Sequence, residues 1–155
     1  MSRRLLAGLA LALAVMPLLA AGFTPLDRAA ARQLTEAGSY RQPTVVALWS
    51  ADCSHCKKNL QLLAGLVKRN KQLRVITVAA EVAEAGHVPL LDRYALPGPR
   101  YAYGSDSPEA IAYAIDPSWA GELPRTFLFD GAGGKAKLSG VLDQPTIEKA
   151  TGLRF

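Results

Sequence analysis

The sequence predicts an α/β protein with a central mixed β-sheet flanked by helices. Three observations carry that expectation: a continuous β-prone run at Thr44–Trp49, an amphipathic helical stretch directly after it that opens with two cysteines, and a second apolar, β-branched run at Leu73–Ala79. Two such runs joined by a helix form a parallel crossover unit. A glycine-rich hairpin nearer the C-terminus supplies antiparallel strands, which makes the sheet mixed.

Residues 1–22 read as a signal peptide: Ser2, Arg3 and Arg4 give a charged start, Leu5–Leu19 an apolar stretch, and Ala20, Ala21 and Gly22 a small-residue exit. The apolar stretch is shorter than the ~20 residues that comfortably span a bilayer. Pro17 interrupts it near its end, so cleavage is expected rather than a retained anchor. With no cysteine at the exit, export without a lipid anchor is expected.

Residues 23–42 are expected to form an N-terminal helix and linker, and 43–155 the main domain. Thr24 before Pro25 reads as a cap followed by a first-turn proline, with Gly38 as the stop, which predicts a helix over 25–37 with Leu26, Ala30 and Leu34 as its apolar stripe. Thr44–Trp49, fronted by Pro43, is a buried strand. In the following helix Cys56, Leu60, Leu63 and Val67 recur at helical spacing with Ala64 beside them, while Lys57, Lys58 and Lys68 fall elsewhere on the wheel.

The stretch from Glu81 to Leu123 is rich in Pro, Gly and Tyr. It predicts a short helix over 88–94, a short edge strand at Tyr101–Tyr103, and a helix running through Ala110–Ile115 after the start signal Ser107-Pro108-Glu109. Thr126–Phe129 and Lys135–Leu142 read as strands joined by the turn Asp130-Gly-Ala-Gly-Gly134. A last helix is expected over Gln144–Thr151, with Asp143 as its cap and Gly152 as its stop.

At 155 residues the chain has room for one domain with a substantial core. Loss of the leader removes Arg3 and Arg4 and no acid, so 18 basic residues fall to 16 against 13 acidic ones, a net charge of +3. Lys57, Lys58, Lys68, Arg69, Lys71 and Arg74 cluster without interleaved aromatics, which marks a solvated helix face and not a nucleic-acid platform.

The chemistry is concentrated at Cys53-Ser-His-Cys56, directly after a buried strand and in the first turn of an amphipathic helix. Free backbone N–H groups and the positive end of the helix dipole favour a thiolate there, so Cys53 is expected to be the nucleophile. Cys56 lies on the apolar stripe and is suited to resolve an intermediate from within. His55 between them can stabilise the thiolate, whereas Asp52 opposes it. A disulfide this short in sequence adds little entropic stabilisation, so a structural staple is disfavoured. Zinc needs about four ligands, and beyond the cysteines only His55 and His87 occur. Covalent haem attachment needs His after the second Cys, where Lys57 stands. Neither a metal nor another cofactor is therefore expected, and His87 reads as a surface or loop residue.

Trp49-Ser-Ala-Asp-Cys-Ser-His-Cys56 resembles the thioredoxin superfamily, and Gly121-Glu-Leu-Pro-Arg-Thr-Phe-Leu-Phe-Asp130 resembles the segment that carries its cis-proline. The resemblance runs from about Pro43 to the C-terminus. It implies the thioredoxin fold, with an insertion between the second strand and the cis-proline strand. It also implies that Pro124 is cis and faces the cysteines, and that the backbone at Leu123 pairs with a substrate chain.

The leader, the insertion and the hairpin look most like exported reductases of the TlpA and ResA type. Glu81 is similar in position to an acid that some of these hold near the cysteines; an exposed turn acid is the other reading. Asp52 stands where the family usually has Trp, and His55 before the second Cys is similar to the DsbA-type oxidases. Trp49 and Trp119 read as aromatic packing near the site.

The function expected is that of a periplasmic or otherwise exported protein thiol-disulfide oxidoreductase, acting as a monomer. It would reduce protein disulfides and be kept reduced by a membrane electron donor, DsbD-like by the resemblance. A disulfide-forming oxidase is the alternative within the same chemistry. From another class comes a Cu(I)-binding module, disfavoured because Met1 and Met16 are the only methionines and both lie in the leader.

Overall fold

At the centre of the sheet lies β2 (Thr44–Trp49), buried along its whole length, as expected for a strand covered on both faces. The computed structural model describes residues 22–155, so the predicted leader lies, but for Gly22, outside the described residues. Before β2 come β1 (Thr24–Leu26), α1 (Arg28–Leu34) and a 3-10 turn at Ala37–Ser39. After it come α2 (Ser54–Arg69), β3 (Arg74–Val82), α3 (His87–Asp92), β4 (Arg100–Tyr103) and α4 (Pro108–Ile115). The chain closes with β5 (Arg125–Phe129), β6 (Lys135–Ser139) and α5 (Gln144–Thr151).

The strands form one mixed sheet in the order β1-β4-β3-β2-β5-β6, with β1, β4, β3 and β2 parallel and β5 and β6 antiparallel. Alternate residues of β2 feed opposite cores, as the two-residue strand period dictates. Val45, Ala47 and Trp49 join α2, Leu91 of α3 and Ile147 of α5 on one face. Val46 and Leu48 join Ala31 and Leu34 of α1 and Ile111 and Ile115 of α4 on the other.

The buried stripe of α2 contains Cys56, Leu60, Leu63, Ala64 and Val67 as the periodicity predicts, and also Asn59 and Leu66. Each fully buried leucine contributes about 1.5–3 kcal/mol relative to exposure. Packing of this face, more than helix propensity, therefore holds α2 in place. The basic cluster predicted to be solvated is so at Lys58, Lys68, Arg69, Lys71 and Arg74, with Lys57 half-buried.

Three expectations need correction. The helix placed over 25–37 starts only at Arg28, because Asp27 and not Thr24 caps it, accepting the Ala30 N–H at 2.8 Å. Thr24–Leu26 instead pairs in parallel with Tyr101–Tyr103 and buries Leu26 completely. Pro25, which lacks an N–H, is tolerated because this strand is the outermost one. For the same reason Tyr101–Tyr103 is not an edge: β1 covers it. The second strand also runs past Ala79 to Val82, with an irregularity in register between those residues.

The last helix forms as predicted, and so does the hairpin except that its second strand, expected to reach Leu142, ends at Ser139, where Gly140 turns with φ +96°. Asp130 Oδ1 accepts from the amides of Ala132 (2.7 Å) and Gly134 (2.8 Å). Gly131 turns with φ +80°, and a Cβ there would come within 2.7 Å of the Gln42 backbone. Asp143 caps α5 through the Thr146 N–H at 2.8 Å. Among the described residues no helix is long and apolar enough to cross a membrane.

Candidate active site

Where β2 ends at Trp49, the chain turns through Ser50–Cys53, and the Cys53 amide closes the turn on the Ser50 carbonyl at 3.2 Å. Cys53 itself caps α2: its Sγ accepts the Cys56 N–H at 3.1 Å. The sulfur thus sits among the free amides of the helix start, where negative charge is favoured. Cys53 is half-buried, whereas Cys56, one turn on and on the apolar stripe, is 1% exposed. The two are joined in a disulfide, with Cα atoms 5.2 Å apart. Asp52 and His55 are exposed on either side of Cys53.

The Leu123–Pro124 peptide is cis. Since Leu48 pairs with Arg125 across the antiparallel β2–β5 ladder, continuing the register brings Pro124 level with Trp49, at the end of the sheet where the cysteines lie. Leu123 is half-buried, and its side chain touches both cores, one of which includes Cys53 and Cys56.

A polar strut ties this segment to the cysteine helix. Pro124 O accepts the Gly140 N–H at 2.9 Å, Gly140 O accepts from Asn59 Nδ2 at 3.1 Å, and Asn59 Oδ1 accepts the Leu142 N–H at 2.9 Å. Asn59 is one turn beyond Cys56 and is 2% exposed. Its signal in the sequence is a lone amide on an otherwise apolar stripe. Replacing it with alanine strands two backbone groups, one of them buried, at a cost of about 1–3 kcal/mol. Urea unfolding of Asn59→Ala should show that loss, and an unchanged midpoint would contradict it.

Glu81 lies at the irregular end of β3. Its Oε1 accepts from the amide of Ala51 at 2.7 Å and from His87 Nε2 at 2.9 Å. The carboxylate is therefore bound to the turn that carries Cys53. His87, expected at the surface or in a loop, is the first residue of α3 and is 4% exposed. Its ring packs against both Trp49 and Phe23, at centroid distances of 5.6 and 6.2 Å. The burial arises from Phe23 just ahead of β1, a contact no local sequence pattern reveals. Trp49 is fully buried and its Nε1 has no partner among the described residues, in keeping with a packing role.

On the other side of Pro124 the next residue, Arg125, enters a buried ionic cluster. Its guanidinium bonds Asp116 Oδ2, and its Nη1 donates to Ser139 Oγ at 2.8 Å. Asp116 also accepts from Lys137 Nζ at 2.9 Å and from Ser118 Oγ at 2.7 Å. Burial alone would raise the Asp116 pKa, but the hydrogen bonds from Ser118, Lys137 and Arg125 together outweigh it and hold the carboxyl well below the usual range. Ser139 in turn donates to Glu122, whose carboxyl is also held low by that bond. Trp119 Nε1 donates to the Glu122 carbonyl at 2.7 Å. The segment entering Pro124 is thus anchored from beneath by residues whose sequence spacing gives no hint of their contact.

No family model matches the chain's sequence, and no curated protein sequence matches it. Solved structures do. A secreted disulfide oxidoreductase of Mycobacterium tuberculosis, homologous to E. coli DsbE, superposes with a TM-score of 0.57 at 15% identity, covering 73% of this chain and 82% of that one. A thiol-disulfide isomerase from Corynebacterium glutamicum gives a TM-score of 0.58 at 16% identity, covering 73% and 80%. StoA from Bacillus subtilis gives 0.52 at 16%, covering 72% and 84%. The fold implied by the resemblance at Trp49–Cys56 is the fold found, a mixed sheet of the thioredoxin type with helices on both faces.

Proposed function

We propose that the protein is an exported thiol-disulfide oxidoreductase that reduces protein disulfides through Cys53 and Cys56. The observation that carries this reading is a half-buried sulfur capping α2, bonded to a buried sulfur one turn behind it. In the reduced protein the Cys53 thiolate attacks one sulfur of a substrate disulfide. A mixed disulfide forms, and the displaced substrate thiolate takes a proton. Cys56 then loses its proton and attacks Cys53 Sγ, releasing the second substrate thiol and leaving the Cys53–Cys56 disulfide.

Two electrons and two protons pass to the substrate. A membrane dithiol donor, DsbD-like in chemistry, would restore the reduced pair, because an exported dithiol is otherwise driven to disulfide. Export itself is supported by the leader at 1–22 and by the secreted neighbour from M. tuberculosis. In this reading the leader is cleaved, and the mature chain acts as a monomer in which residues 23–42 add β1 and α1 to the sheet and core built by 43–155. Leu123 offers substrate a backbone edge: no turn or loop hydrogen bond engages it among the described residues, and the sheet ladder starts only at Arg125.

His55, exposed in the first turn of α2, favours the opposite direction, disulfide formation, since a donor there stabilises the reduced thiolate form. The reduction potential decides: a strongly negative value supports the reductase, and one near the oxidising end of the known range replaces it with the oxidase. Trapping tests the chemistry common to both. Cys56→Ser should accumulate mixed disulfides through Cys53 when incubated with disulfide-bearing proteins of the exported fraction. Trapping by Cys53→Ser instead would reverse the roles of the two sulfurs.

A further inference from the structure

His87 makes hydrogen bonds whose donors and acceptors can be assigned from geometry alone. The Glu84 backbone N–H reaches His87 Nδ1 at 3.0 Å. A backbone amide only donates, so Nδ1 carries no proton. The ring is then the neutral Nε2–H tautomer, and Nε2 donates to Glu81 Oε1 at 2.9 Å. A doubly protonated ring would set N–H against N–H at Glu84. The same Glu81 oxygen accepts the Ala51 N–H at 2.7 Å, two residues before Cys53. Glu81 Oε2 takes no hydrogen bond from any described residue.

We propose that His87 is a positioning residue for the dithiol: it pins the Glu81 carboxylate against the Cys53 turn and so sets the negative charge against which the Cys53 thiol ionises. The inference rests on the thiol chemistry proposed above and adds to it the group that governs its poise. A carboxylate held at that amide disfavours a second negative charge on the neighbouring sulfur. Only one of its oxygens is engaged by the pinning. The buried ring, packed against Phe23 and Trp49, gives the carboxylate a fixed address that a solvent-exposed partner would not.

Other ionisable groups lie in the turn or on the segments that adjoin the site. Asp52 lies within the turn, His55 and Lys57 follow on α2, Glu84 precedes α3, and Glu122 precedes Leu123. All are unchanged in the comparison below, so differences between variants report the His87–Glu81 pair.

The test is the pH midpoint of Cys53 alkylation by iodoacetamide in the fully reduced protein. His87→Phe keeps a ring but loses both hydrogen bonds, and should move the midpoint down by about half a pH unit or more. His87→Gln can both accept from the Glu84 amide and donate to Glu81, and should stay within about 0.2 unit of the parent. On a Glu81→Gln background, where the charge is gone, His87→Phe should add no further shift.

The proposal is overturned if His87→Phe leaves the midpoint in place while the parent titrates normally, if its shift survives on the Glu81→Gln background, or if His87→Gln shifts it as far as Phe does. Should the Phe variant fold poorly, two variants without it still decide: Glu81→Gln alone should lower the midpoint by about half a unit or more, and an unmoved midpoint there, or a His87→Gln midpoint that falls by as much, overturns the proposal. A parent protein whose Cys53 shows no alkylation step would instead sink the thiol reading itself, a result separable from all of these.

Discussion

Cys53→Ser is expected to bring disulfide reduction down to the uncatalysed background, a fall of about a thousandfold or more, equivalent to ~4 kcal/mol of lost barrier lowering. A hydroxyl has neither the thiolate's nucleophilicity nor the ability to form a disulfide, so neither the mixed intermediate nor its resolution is available. The helix start that favours charge on Cys53 Sγ has no comparable effect on a serine hydroxyl, which stays protonated. Cys56→Ser should behave differently. It retains the first attack and fails only at resolution, giving a single stoichiometric event and no turnover. Insulin reduction with dithiothreitol as the electron source separates the two variants. More than a tenth of the parent rate in Cys53→Ser would show that the capping sulfur is not the attacking group.

That the sulfurs could be placed from sequence reflects how local their determinants are. A strand of six consecutive buried residues, a turn and a helix whose apolar stripe includes Cys56 are all encoded within 44–69, the strand by an unbroken β-prone run and the helix by its 3.6-residue period. The hairpin and α5 were legible for the same reason, their turn and cap residues being adjacent in sequence. Thr24-Pro25 was not. The same dipeptide serves as a helix start or as an edge strand, and the choice is made by pairing with Tyr101–Tyr103, far along the chain.

His87 illustrates the same limit in the site itself. Its burial depends on Phe23 and Trp49, and its bond to Glu81 depends on β3 continuing past Ala79 through an irregular register. Asn59 went unread: it is a polar residue on an apolar stripe, and its partners, Gly140 and Leu142, lie in another part of the chain. Asp116 follows a helix as many acids do, and nothing near it in sequence marks it as among the most buried charges of the described residues.

Asp116→Asn should therefore cost more stability than any surface change, about 3–5 kcal/mol. The Asp116 and Arg125 side chains are 7% and 10% exposed, and removing the carboxylate charge leaves the guanidinium buried with poorer partners. Arg125 Nε already has no hydrogen bond among the described residues, so the cluster has little slack to absorb the change. Asparagine keeps one acceptor oxygen and turns the other into a donor, so either Ser118 at Oδ1 or the Arg125–Lys137 side at Oδ2 is set against an N–H.

The pH dependence has a definite sign. An unfolded aspartate titrates near ~3.9, and the folded value lies lower because Ser118, Lys137 and Arg125 outweigh burial. Between those values the unfolded chain binds more protons. The stabilisation is thus complete above about pH 5 and is lost as the pH falls through the folded value. Denaturant unfolding of the parent between pH 2 and 7 should show this acid limb, and Asp116→Asn should flatten it while lying lowest relative to the parent near neutrality. Arg125 adjoins Pro124, so the same variant should also slow disulfide reduction under conditions where it remains folded. Equal stability of variant and parent at pH 7 would mean that the buried pair contributes nothing and that the segment before β5 is held by its apolar contacts alone.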